Sequence, residues 1–393
     1  MKKALIGTTA LVAAGLFSGG AFAADPIKLG LSGNFRAMLG YVSQDDGVGE
    51  AGAGKRNFGI GHDSQIVFKG KTTLDNGIEV GVEVGLEGES NAGGNALGAG
   101  NNRTSLGETD IVDEAYMWLE NQKVWGRVEI GDRDGATNKM NTLGPFVLGT
   151  AIVGVSTMQA VTAPTGNQAA NPIYSPSSQD GTKMTYYTPR FAGFQLGASY
   201  TPDIVENQGR FGIGIAAPDE TAVAGDAAQG DIMDVSVNYV MTFGKVDVRA
   251  NAGYAKGDQE STAVGTFDQT QWVIGGQLSF GAFAFGGGYF KNDANVNTGG
   301  AANREEDDIT YRLGLTYAVG PWLTGIEYAS RSIDQTAGGK DEVTIWGLSA
   351  RRTLGPGVTL GAGIRRWDWD DSTNVATAEN EATEVLVETS FTF

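Results

Sequence analysis

From Ile27 onward the chain alternates apolar and polar positions in short runs, and the period is two rather than that of a helix. In the first run Ile27, Leu29, Leu31, Phe35, Ala37, Leu39 and Tyr41 share one side, and Lys28, Ser32, Asn34 and Arg36 take the other. The last nine residues repeat the pattern, with Val385, Val387, Thr389, Phe391 and Phe393 opposed to Glu388, Ser390 and Thr392. Side chains of an extended strand point alternately to its two faces, so each run predicts a strand with one apolar and one polar face. Comparable runs fall at 64–74, 78–87, 111–120, 124–133, 182–189, 194–200, 233–243, 246–254, 271–280, 283–290, 309–317, 322–331, 343–352 and 358–365, which makes sixteen strands. For 111–120 and 343–352 the pattern leaves the choice of face open.

Parity also fixes one turn. Residues facing each other across a hairpin share a side, so Leu74 pairs with Ile78 and Asp75-Asn76-Gly77 forms a three-residue turn. That register sets Lys69 opposite Glu83, with Lys71 diagonal to Glu79 and Glu83.

Short connections fall on the side of the chain termini and long ones on the opposite side. Tyr41, Tyr200, Tyr254 and Tyr328 end the apolar faces at one height, and Phe243, Phe280, Phe283, Tyr317, Trp322 and Phe393 at the other. Two aromatic levels are what two membrane–water interfaces select. A soluble sandwich would instead bury these rings between sheets. The expected fold is all-β: a 16-stranded antiparallel transmembrane β-barrel whose apolar face meets lipid and whose polar face lines water.

Composition narrows the chemistry. Sixty glycines against ten prolines suit many strands and turns. There is no cysteine for thiolate or disulfide chemistry, and the single histidine, His62, cannot build a multi-histidine metal site. A formal charge of −18 argues against a nucleic-acid partner. Met1-Lys2-Lys3, the apolar run from Ala4 to Phe17 and Ala21-Phe22-Ala23 read as a secretory leader, residues 1–23, cleaved to leave 24–393 as one barrel domain. The run is shorter than the roughly 18–20 residues a spanning helix needs. The proposed external loops carry all of the acidic excess, which leaves the wall slightly positive. Glu305-Glu306-Asp307-Asp308 and Asp368-Trp369-Asp370-Asp371 are the densest clusters. They read as a solvated rim; the sharper alternative makes Asp368, Asp370 and Asp371 ligands of a divalent cation bridging to anionic lipid. Gly47 to Gly52 spells G-x-G-x-x-G, but no strand–turn–helix surrounds it, and Arg56 stands where a P-loop after Gly49 would need Ser or Thr. No cofactor is expected.

Four segments carry a family resemblance: Asp113-Glu114-Ala115-Tyr116-Met117-Trp118-Leu119-Glu120, Gly126-Arg127-Val128-Glu129-Ile130-Gly131-Asp132-Arg133, Tyr186 to Phe194, and Leu354 to Leu360. In this order, with the leader and the terminal Phe, the mature chain resembles the general, trimeric porins of Gram-negative outer membranes. The resemblance implies a homotrimer set among outer-membrane lipids and lipopolysaccharide, passing small hydrophilic solutes and ions by passive diffusion. It also implies a third external loop folded into the barrel, here residues 134–180. That loop departs from the family pattern of acidic residues facing basic ones. Lys139 is its only internal charge, and it carries Leu143-Gly144-Pro145-Phe146-Val147-Leu148, so Phe146 or Leu148 is expected at the constriction. On the wall Arg36, Lys69, Lys71, Arg127 and Arg133 point inward, with Glu83 against Lys69. Charge at the narrowest point sets ion preference, and outer charges are screened within about 8 Å at physiological salt. A weak anion preference is therefore expected. Two rival functions remain at this stage. One is a structural or adhesive barrel with an occluded lumen. The other is an outer-membrane hydrolase, for which His62 would have to serve as the base.

Overall fold

The computed structural model describes residues 26–88, 112–148, 161–164, 167, 169, 178, 180–203, 229–259, 269–295, 305–335, 339–371 and 378–393; the expected leader at 1–23 lies outside them. The strands are β1 (Lys28–Gln44), β2 (Phe58–Thr73), β3 (Glu79–Glu87), β4 (Val112–Asn121), β5 (Gly126–Asp132), β6 (Thr182–Tyr187), β7 (Phe194–Asp203) and β8 (Gln229–Phe243). They continue as β9 (Val246–Gln259), β10 (Gln269–Phe280), β11 (Phe283–Asn295), β12 (Glu305–Val319), β13 (Trp322–Asp334), β14 (Lys340–Gly355), β15 (Val358–Asp370) and β16 (Asn380–Thr392). One helical turn, α1 (Ala136–Lys139), follows β5. Each strand pairs antiparallel with its chain neighbours and β1 pairs with β16, which closes the barrel. Closure leaves no sheet edge, so strand N–H and C=O groups are bonded within the wall, as a hydrocarbon surrounding demands.

The alternation sorts the faces as expected. Leu29, Leu31, Phe35, Leu39 and Tyr41 are exposed on the outside of β1, while Met38 and Val42 are buried on its inside. Aromatic rings pair across strands at both levels: Phe283 with Tyr317 at 4.7 Å toward the chain termini, and Tyr254 with Trp272 at 4.5 Å and Tyr328 with Trp346 at 4.7 Å at the other end. The three-residue turn also forms. Leu74 N–H donates to the Ile78 carbonyl and Gly77 N–H to the Leu74 carbonyl, both at 2.8 Å. Gly77 has φ +78°, which glycine adopts without a Cβ clash. Lys69 faces Glu83 in the register.

The strands run further than the apolar alternation reaches. β2 begins at Phe58, so Asp63 and His62 belong to the wall rather than to an external loop or its mouth. β12 begins at Glu305 and β15 ends at Asp370, so both acidic clusters lie largely in strands instead of loops. The antiparallel ladder continues into water beyond the lipid, where polarity no longer alternates. His62 faces outward opposite Ala37, its ring stacked on Phe35 with centroids 5.7 Å apart.

The two undecided faces have physical causes. A register shift between Val84 and Leu86 marks a bulge where β3 meets β4, which interrupts the alternation. Beyond it Tyr116 and Trp118 are buried inside and Met117 is exposed outside. In β14 both faces are apolar, because Val343 and Ile345 turn inward and pack in a cluster with Trp367, Trp369, Val161 and Ala169.

Candidate functional site

Strands β1 to β5 carry a ladder of inward-facing charges in which acid and base alternate. Arg36 Nη1 lies 3.2 Å from Asp63, and its Nε 3.8 Å from Glu388. Lys69 Nζ bonds Glu83 at 2.7 Å and Lys71 Nζ bonds Glu79 at 2.9 Å. Arg127 reaches Glu120 at 2.7 Å and Glu129 at 2.5 Å, and Arg133 Nε lies 3.4 Å from the same Glu129. Two buried rings back this ladder. Lys69 and Arg127 lie over Trp118, 5.0 and 4.7 Å from its centroid, and Arg133 lies 3.9 Å from that of Tyr116. The rings hold the cationic groups in place by cation–π attraction, so the ladder is fixed rather than splayed.

The segment after β5 lies against the inward-phase residues of the remaining wall. Ala136 N–H donates to Ser199 Oγ at 2.8 Å, Thr142 N–H to Asn251 Oδ1 at 2.8 Å, and Val147 N–H to Glu327 Oε1 at 3.2 Å. These contacts step from β7 through β9 to β13. Between them the wall presents glycines. A Cβ on Gly275 would stand 2.0 Å from the Thr142 carbonyl oxygen, on Gly314 2.2 Å from that of Pro145, and on Gly361 2.5 Å from Leu148 Cδ2. Gly253, Gly286, Gly288, Gly325 and Gly363 meet the same segment at about van der Waals contact or closer. Further along, Asn380 Nδ2 donates to the Thr162 carbonyl at 2.8 Å and Trp369 Nε1 to that of Ala169 at 3.2 Å.

Both ends of the segment meet at one place on the wall. Asp234, fully buried on β8, accepts Thr137 N–H at 3.0 Å on one oxygen and the Ser178 hydroxyl at 3.3 Å on the other. Lys183, at the start of β6, donates to the carbonyls of Arg133 and Gly181.

The expected site residues divide accordingly. Arg36, Lys69, Lys71, Glu83, Arg127 and Arg133 all face inward, on or beside β1, β2, β3 and β5. Lys139 bonds Glu114 at 2.7 Å and lies 3.9 Å from Asp134. Phe146 is 44% exposed, whereas Leu148 has no exposed surface, since it packs into the space over Gly361 and Gly363. Of the two, Leu148 seats the segment on the wall and Phe146 keeps exposed surface. Asp368, Asp370 and Asp371 do not gather. Among the described residues the carboxylates close enough for a cation are Glu114, Asp134 and Asp180, with Lys139 already on two of them.

Sequence reasoning missed Asp63, the role of Asp234, and the glycine track. The track does leave a signal. At polar-phase positions β9 to β15 repeatedly carry glycine where β1 to β5 carry charge.

A closed barrel of sixteen strands with a greasy exterior and a charged interior defines an outer-membrane channel. The family model for Gram-negative porins matches residues 7–372, and the chain belongs to that family. It is an outer-membrane channel for passive diffusion, in the outer membrane of a Gram-negative bacterium. Among solved structures, an anion-selective porin from Comamonas acidovorans is 18% identical with a TM-score of 0.61, the match covering 93% of this chain and 100% of that one. The trimer form of OmpT, an outer membrane protein of Vibrio cholerae, is 12% identical with a TM-score of 0.57, covering 94% and 100%. No curated protein matches the chain.

Proposed function

We propose that water and solutes pass between residues 134–148 and the charged wall of β1 to β5, and that this gap is the constriction of a weakly anion-preferring channel. The seat of residues 136–148 on β7 to β15 supports the path, since, apart from the Lys139–Glu114 ion pair on β4, it leaves the β1–β5 ladder as the uncovered side. The preference rests on one asymmetry. Lys69 and Lys71 side chains are 48% and 54% exposed, their partners Glu83 and Glu79 only 15% and 29%. The ammonium heads meet the water and the carboxylates sit behind them. Lys28, opposite Lys71 in the register, adds a cation with no carboxylate partner among the described residues. Pairing keeps the net field small, so the preference is weak. The channel works as a homotrimer embedded in lipid and lipopolysaccharide, admits small hydrophilic solutes, and needs no catalytic residue or cofactor.

Zero-current potentials in a KCl gradient test the assignment. Glu83→Gln is expected to deepen the anion preference, and Lys69→Gln to turn it toward cations. One unbalanced charge about 6 Å from a permeating ion in water is worth about 0.7 kcal/mol, roughly a threefold change in relative permeability. Identical potentials for wild type and both variants would reject the reading. Deleting residues 143–148 is expected to raise single-channel conductance, and an unchanged value would place the constriction elsewhere.

A further inference from the structure

Within the apolar run 143–148 the flanking Val147 and Leu148 are fully buried, while Phe146 presents its ring to open space. The ring is held from behind. Arg312 on β12, only 2% exposed, sets its guanidinium 5.1 Å from the Phe146 centroid, and the next residue is tied to the wall through Glu327. A cation on one face fixes an aromatic ring at little entropic cost and leaves its other face free. β12 and β4 are eight strands apart in a sixteen-stranded closed barrel, hence on opposite sides of it. The Phe146 ring is therefore seated on the side of the barrel opposite β4, and the β2–β5 ladder, whose exposed heads are the Lys69 and Lys71 ammonium groups, belongs to the other side.

We propose that Phe146 is a specificity-determining residue, and that the channel favours amphipathic monoanions, ring-bearing or branched carboxylates, over small anions of equal charge. The apolar part of such a solute rests on the free face of the Phe146 ring while its carboxylate meets the lysine heads opposite. A small inorganic anion uses the second contact alone. This inference rests on the constriction described above, and it adds to that reading a chemical class of solute.

The test is the full chain in planar bilayers, with benzoate and acetate as probes. Benzoate is expected to permeate with measurable residence, reducing chloride current in a concentration-dependent way that acetate does not reproduce. Phe146→Ala is expected to weaken the benzoate effect about three- to tenfold, the range of one aromatic contact, with Phe146→Leu between it and wild type. Phe146→Trp is expected to lower KCl conductance. If Phe146→Trp and Phe146→Ala leave KCl conductance unchanged, the ring is off the path and the constriction itself is misplaced. If conductance changes but benzoate and acetate remain equally discriminated in wild type, Phe146→Ala and Phe146→Leu, the constriction stands and the solute class is overturned.

Discussion

Replacing Gly275 and Gly314 together by valine is expected to lift residues 142–145 off the wall and sharply lower single-channel conductance, with the barrel still assembled. At both positions the new Cβ would meet backbone oxygens, at 2.0 Å for Thr142 and 2.2 Å for Pro145, and no rotamer change relieves such a clash. At Gly275 the intruding carbon also comes within 2.9 Å of Asn251 Oδ1, the acceptor that anchors Thr142. Overpacking costs about 1–3 kcal/mol at each site. Two responses are open. The wall could deform, but each strand is laddered on both sides, and bending one disturbs two neighbours. The segment could instead move, and on the proposed path its free direction is toward the middle of the lumen. The second costs less, so the aqueous gap narrows. Gly59→Val serves as the control, because a Cβ there meets nothing within 4 Å. Single-channel recordings in which the double variant conducts like Gly59→Val would refute the glycine seat.

Much of this architecture is legible in the sequence. Alternation gave the strands because a barrel wall sees water and lipid everywhere along its circumference. Parity gave the Asp75-Asn76-Gly77 turn and the Lys69–Glu83 pair because facing residues must share a side. The failures follow from the same logic. Where Phe58-Gly59-Ile60-Gly61 places glycine on the polar phase, alternation is weak, and β2 loses its first residues and with them Asp63, the partner of Arg36. Where the lumen itself is apolar, as at Val343 and Ile345, a strand carries no signal of its face. Position along the chain also says nothing about which groups of a long connection meet. Phe146 and Leu148 are two residues apart with similar chemistry, yet one is open and the other sealed, because Leu148 lies over glycines on β15 and Phe146 over an arginine on β12.

A single buried carboxylate closes the neck of the connection, and its loss is the second large effect expected. Asp234→Ala removes the acceptor shared by Thr137 N–H and Ser178 Oγ, groups from the two ends of the segment some forty residues apart in sequence. Thr137 is 2% exposed and Ser178 1%, so water does not replace the lost partner without opening the site. Each orphaned buried donor costs about 1–3 kcal/mol. Two of them shift the opening equilibrium of the neck by roughly thirtyfold or more. Asp234→Asn keeps one carbonyl oxygen for Thr137 N–H, so its effect is smaller. The strand ladder of β8 does not depend on this side chain, and the barrel should assemble in all three proteins. Amide exchange at Ala136 and Thr137 reads the effect directly, with rates ordered wild type, Asp234→Asn, Asp234→Ala. Open-channel current noise should rise in the same order if the proposed path holds, since a segment released at both ends would then sample the lumen it borders. Unaltered exchange in Asp234→Ala would mean that Ser199 and the Lys183 contacts hold the neck without the carboxylate.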